Sequence, residues 1–226
     1  MNSFSGFPDP DATFFLELAD KQSREWFQAH KQQHQEQYVL PMKALLAEVA
    51  PNIAGLFPGR TVSDPRIFRI NRDVRFSADK SPYKTHVGGW LGFDRPEGTP
   101  PLPAVVYVQL GTESFVGAGH YVLDPGQLAR FRFAIADNGT GPALQKIIAK
   151  LEKAGHKPEA HDALKRVPKG IDPAHPRADM LKWKSLTDRY PSPARETVGS
   201  AGFVDWLAAR TKEAAPLINW LADVTG

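Results

Sequence analysis

The chain contains no cysteine, which excludes disulfides, thiolate nucleophiles and Cys-ligated zinc. Its first ten residues hold no Lys or Arg and no apolar run, so no signal peptide is expected. No stretch reads as the roughly 20 apolar residues a membrane span needs, and no internal repeat is visible. Gly-rich Walker patterns and Gly-x-Ser-x-Gly elbows are also absent, leaving P-loop and serine-hydrolase chemistry without support. From these absences follow two default expectations, a cytoplasmic location and no membrane partner. No cofactor is indicated, and the oligomeric state stays open.

What is present suits an ordinary soluble fold. Of the 226 residues 42% are hydrophobic and 23% charged, enough for a core and a solvated surface. Residues 1–58 read as helical, with Phe14, Phe15, Leu18, Trp26, Phe27, Tyr38, Leu45, Leu46 and Val49 turned inward and a kink or break at Pro41. The period then becomes alternating. Strands are expected over 67–76, 85–93, 104–110 and 114–122, with residues 94–103 as a loop, giving an antiparallel meander across 66–122. Residues 124–226 read as mainly helical: one helix from Asp124-Pro125 carrying Leu128, Phe131, Phe133 and Ile135, and another over 142–154. A short helical turn over 158–164, a loop over 168–177 and a short strand near 181–186 follow. A last helix is capped by Ser200 and kinked at Pro216. The fold class is α+β, with N-terminal helices, a central antiparallel sheet and C-terminal helices, in a single domain spanning 1–226.

Net charge is only +3, but it is unevenly placed. Residues 60–86 hold seven Lys or Arg against three Asp, and residues 165–184 hold six against two. If the two segments meet, they form one basic surface suited to phosphate. Within 66–86, alternation puts Arg72 on the face of Ile70 and Val74, where a guanidinium needs a carboxylate or an anion. Asp73 points the other way, so Asp79 is its nearest partner. Two readings stay open: a buried Arg72–Asp79 pair that fixes the loop, or an anion pocket. In the second, Arg69, Arg75, Lys80 and Lys84 converge with the hydroxyls of Ser77, Ser81 and Tyr83, and Lys169 joins from the second segment. His120 and His175 are the candidate proton carriers if either borders that pocket.

His30 and His34 have i, i+4 ligand spacing, but no third ligand is fixed beside them, so a solvated helix face is the simpler reading and no metal is assigned. Tyr83, Trp90, Phe93 and Trp183 lie among Lys and Arg, as on a single-stranded nucleic-acid surface, although strands more often bury such rings. The expected partner is a phosphorylated or other anionic small molecule. A nucleic acid or acidic protein bound by the same face is the alternative.

The string Phe68-Arg69-Ile70-x-Arg72-Asp73-x-Arg75-Phe76-Ser77-x-Asp79-Lys80-x-Pro82-Tyr83-Lys84 resembles the signature of a family of uncharacterised proteins, domain of unknown function 2461. Arg24-Glu25-Trp26-Phe27, Tyr107-Val108-Gln109-Leu110, Gly117-x-Gly119-His120-Tyr121, Arg166-Val167-Pro168-Lys169-Gly170 and Leu181-Lys182-x-Lys184 resemble further parts of its pattern. Ile171 departs from it, since an aromatic is expected there. The resemblance implies a single-domain fold and marks the same segments as the places of interest; it implies no reaction.

Overall fold

A computed structural model describes residues 3–95, 98–99 and 101–226. It is α+β. Helices α1 (Thr13–Lys21), α2 (Arg24–His34) and α3 (Leu40–Ile53) precede the strands β1 (Arg66–Ile67), β2 (His86–Leu91), β3 (Ala104–Gly111) and β4 (Phe115–His120). Helices α4 (Pro125–Ala136) and α5 (Thr140–Lys153) follow, then β5 (Lys157–Glu159), α6 (Ala178–Leu181), β6 (Leu186–Arg189), α7 (Arg195–Val198) and α8 (Gly202–Thr225). The six strands form one antiparallel sheet in the order β1-β2-β3-β4-β6-β5.

Strand alternation splits the sheet into two unlike faces. One carries Val87, Leu91, Val106, Val108, Leu110, Val116 and Ala118, all buried in the core. α3 and α8 cover it. Gly89 lets α3 approach closely, since a Cβ there would lie 2.7 Å from Met42 and 2.9 Å from Leu46. A second cluster joins Phe131, Ile135, Leu144 and Leu151 to Leu217 and Leu221 of α8. The other face carries Trp90, Tyr107 and Phe115, only half-buried.

Several sequence expectations are corrected. Pro41 does not break the rod, but the helix is irregular there: a π-turn at Gln35–Val39 immediately precedes it, and α3 continues from Leu40. Within the continuous helical stretch Arg24–Leu56 one 18-residue window reaches a mean hydropathy of 1.3, which meets a membrane-span test by length and composition. Its apolar side, however, holds Leu45, Leu46, Val49 and Ile53 fully inside the core. The helical turn expected over 158–164 is absent from the described structure, its first two residues ending β5, and the strand near 181–186 is displaced to β6, because 178–181 is helical. Phe133 faces solvent. The Ser200 carbonyl, not its hydroxyl, accepts at the start of α8, from Phe203 N–H. The loop expected over 94–103 includes residues 96, 97 and 100, which lie outside the described residues.

The strand expected over 67–76 is the largest correction. Only Arg66 and Ile67 pair regularly with β2. Beyond them the chain runs on as an irregular hairpin, with Arg72 N–H donating to Pro82 (2.9 Å), Lys84 N–H to Ile70 (2.8 Å) and an Asn71–Tyr83 bridge. The carboxylates of Asp73 and Asp79 accept from the N–H groups of Arg75 and Ser81, and these local bonds pull the backbone into turns in place of a ladder. Phe68 and Phe76 therefore point outward, at 46% and 96% exposure.

Candidate functional site

The second arm of this hairpin folds against the α1–α2 junction at Tyr83 and borders a half-open cavity of about 400 Å³. Ala19, Gln22, Arg72, Asp79, Ser81, Tyr83, Lys84, Thr85 and His86 line it. Gln22 docks the hairpin: its amide donates to the Tyr83 carbonyl (3.2 Å) and accepts from the Tyr83 N–H (3.1 Å). The Tyr83 ring is buried and stacks on Phe27 at 4.5 Å, so its side chain serves the core.

Arg72 pairs with Asp79 as the sequence suggests, but the pair is half-exposed, not buried. Asp79 also accepts from the Ser81 hydroxyl (2.6 Å) and N–H (2.8 Å). Ser81 and Arg72 together hold its carboxyl well below the usual range. This is a turn lock in which the Arg72 guanidinium bonds only Asp79 among the described residues. Because the pair meets water, Arg72→Ala should leave the chain folded and lower the melting midpoint by a few degrees. A thermal melt checks this, and wholesale unfolding would refute the description.

The other cations differ in role. Arg75 is fully exposed and forks onto Asp73 (2.6 and 2.9 Å). Lys80 caps the Val74 carbonyl (2.9 Å), and Ser77 N–H donates to the same carbonyl. Lys84 stands apart. It is half-buried, its ammonium lies 5.1 Å from the Phe68 ring centre, and no ion pair engages it among the described residues. Burial lowers its pKa, and the charge of Arg69 lowers it further. Burial and Lys84 together lower that of His86, which Glu113 opposes.

The two basic segments do not meet. Residues 66–86 lie at the β1 edge, while 157–189 hold the opposite edge, with β2, β3 and β4 between them. Lys169 and His175 border a separate, larger cleft of about 980 Å³ bounded by residues 165–182. Its walls are the 165–177 loop, α6 and Gln145 of α5, and one of its cations is committed: buried Arg177 donates to the carbonyls of Ile135 (2.6 Å) and Ala136 (2.9 Å), closing the end of α4. Lys182 pairs with Asp179. His120 is also removed from the hairpin: it ends β4, opposite Leu186, whereas His86 begins β2, opposite Gly111. Burial pushes its pKa down to about 4, so at neutral pH it is an uncharged core residue. His34, expected on a solvated face, is buried among Phe14, Phe15 and Phe27, and burial lowers it too to about 4. His30 stacks on Trp26 at 4.0 Å.

Two features escape sequence reading. One is the Gln22 clamp, 61 residues from its partner. The other is a buried network in which His156 reaches Asp188 (2.6 Å) and Glu213 (2.8 Å), with Arg210 on Glu213 (2.9 Å). Neither has a local signature.

A family model described as conserved hypothetical protein (DUF2461) matches residues 11–220. The chain belongs to that family. Neither curated proteins nor solved structures gave a match. In this DUF2461 chain the Arg-Asp-x-Arg-Phe-Ser string thus forms the hairpin tip, and Pro82-Tyr83-Lys84 its docking arm.

Proposed function

We propose that the protein binds a phosphorylated small molecule in the hairpin cavity, with Lys84 as its main contact. The observation that carries this is electrostatic. Lys84 is half-buried and repelled by Arg69, and no carboxylate pairs with it among the described residues. A cation in that position bears an uncompensated desolvation cost unless an anion joins it. Arg72, whose guanidinium bonds only Asp79 among the described residues, lines the same space and adds a flat donor fork. Asp79 is already committed to Arg72 and Ser81, so the cavity keeps a positive balance.

Ribose 5-phosphate at one hundred times its Kd should stabilise the wild type by about 2.7 kcal/mol. That corresponds to a rise in melting midpoint of roughly 5–10 °C for a chain of this length. Lys84→Ala should lose the rise while its ligand-free melting stays within a few degrees of wild type. If ribose 5-phosphate, inorganic phosphate and nucleotides all leave the wild-type midpoint unmoved at fixed salt, the reading fails.

A further inference from the structure

Lys84 belongs to two surfaces at once: it lines the cavity, and its ammonium overhangs Phe68 on the sheet face opposite α3 and α8. Across that face runs a row of three rings supplied by three separate segments. Phe68 follows β1, Tyr107 lies in β3 and Phe115 opens β4, with ring centres 6.3 Å and 5.2 Å apart in series. A cation closes each end, Lys84 over Phe68 at 5.1 Å and Arg189 over Phe115 at 4.7 Å. The rings are tilted to one another by 56° and 36°, so they do not seal each other's faces.

Glycine keeps the floor of this row flat. Gly117 is the direct cross-strand neighbour of Tyr107. Gly88 sits between Phe68 and Tyr107, and a Cβ there would stand 3.2 Å from both the Phe68 ring and the Tyr107 hydroxyl. The Tyr107 hydroxyl is already engaged with Gln109 (2.8 Å), and burial helps push its pKa up to about 12, so this ring offers a neutral π-surface. His86 shares the face of Gly88 by alternation, and burial and Lys84 lower its pKa, favouring the neutral ring. A neutral imidazole presents one donor and one acceptor, as does the edge of a nucleobase. Glu113 is the acidic neighbour of His86, and burial and Lys84 outweigh it in the net downward shift of the imidazole.

Aromatic surface interleaved with cations is the chemistry that receives a base and its phosphate together. We propose that the ligand is a free nucleotide, whose base lies on the Phe68–Tyr107–Phe115 row while its phosphate meets Lys84. This rests on the anion reading of Lys84 given above and adds the base to it.

The test is calorimetric titration of the full chain at fixed salt with four probes: AMP, ribose 5-phosphate, adenosine, and a five-nucleotide oligouridylate. AMP should bind at least about tenfold tighter than ribose 5-phosphate, the gain expected from one stacked base. Adenosine should bind more weakly than AMP. Phe68→Leu, at an exposed position that leaves the fold intact, should bring AMP down toward ribose 5-phosphate and leave the latter unchanged; Tyr107→Leu should do the same. An oligouridylate that binds tighter than AMP, with steeper salt dependence, overturns the free nucleotide in favour of a single strand; one that binds no tighter supports it. Equal affinity for AMP and ribose 5-phosphate, unmoved by either variant, overturns the base contact and leaves the anion site standing. Failure of every probe overturns both.

Discussion

His156→Ala should cost about 3–5 kcal/mol, lowering the melting midpoint by roughly 10 °C or more. The His156 and Asp188 side chains are fully enclosed, and the imidazole spans Asp188 of β6 and Glu213 of α8. Only the doubly protonated ring donates to two carboxylates at once. Burial works against that cation, but the hydrogen bonds to Asp188 and Glu213 outweigh it, and the net shift of its pKa is upward. Asp188 is raised by its own burial, so removing the ring strands a carboxylate in the core. The shift also sets a pH dependence. With a folded pKa above the unfolded 6.5, His156 contributes fully below pH 6.5 and loses that contribution as pH rises through the folded value. His34 and His120 act oppositely. Held at about 4, each costs about 1.4 kcal/mol per pH unit as pH falls from about 6.5 toward 4. Denaturant melts from pH 4.5 to 9 should therefore peak near neutrality, and the alkaline limb should flatten in His156→Ala. A variant as stable as wild type at pH 7 would contradict the network's role.

Gly119→Ala should be comparably damaging, by about 3–5 kcal/mol. Its φ is +116°, which L side chains rarely adopt, and a Cβ would lie 2.5 Å from the Leu186 carbonyl and 2.7 Å from the Thr187 Cα. Both are backbone atoms of the paired strand β6, so relief requires prying β4 from β6. Strain of about 1–3 kcal/mol and overpacking of about 1–3 kcal/mol add at this seam, where β5 and β6 join the sheet. Gly59 is the control: its φ is +73°, but a Cβ there would meet nothing within 4 Å, so Gly59→Ala should cost only about 1–2 kcal/mol. Equal effects of the two substitutions in urea melts would show that the seam is looser than described.

The long helices and the strands β2 to β4 are legible in the sequence because their apolar residues repeat at 3.6 or 2 over six or more positions. β5 and β6 are not, being three and four residues long, too short for a period to declare itself. Residues 67–76 mislead for the opposite reason. Their alternation is real, but Asp73 and Asp79 bend the backbone, and Pro82 on the facing arm has no N–H to offer. The Arg72–Asp79 pair is readable from spacing, and so is the concentration of cations. That Lys84, unlike Arg75 or Lys80, lacks a local partner emerges only from the fold. So does the separation of the two basic segments, which depends on strand order and not on any property of either segment.

The claim that residues 66–86 form an anion site at Lys84 is tested most directly by amide chemical-shift mapping during titration with inorganic phosphate at constant ionic strength. Saturable shifts should cluster at residues 19–22 and 81–88 in the wild type and vanish in Lys84→Ala. Shifts that never saturate, or that concentrate on residues 165–182 at the opposite sheet edge, would contradict it.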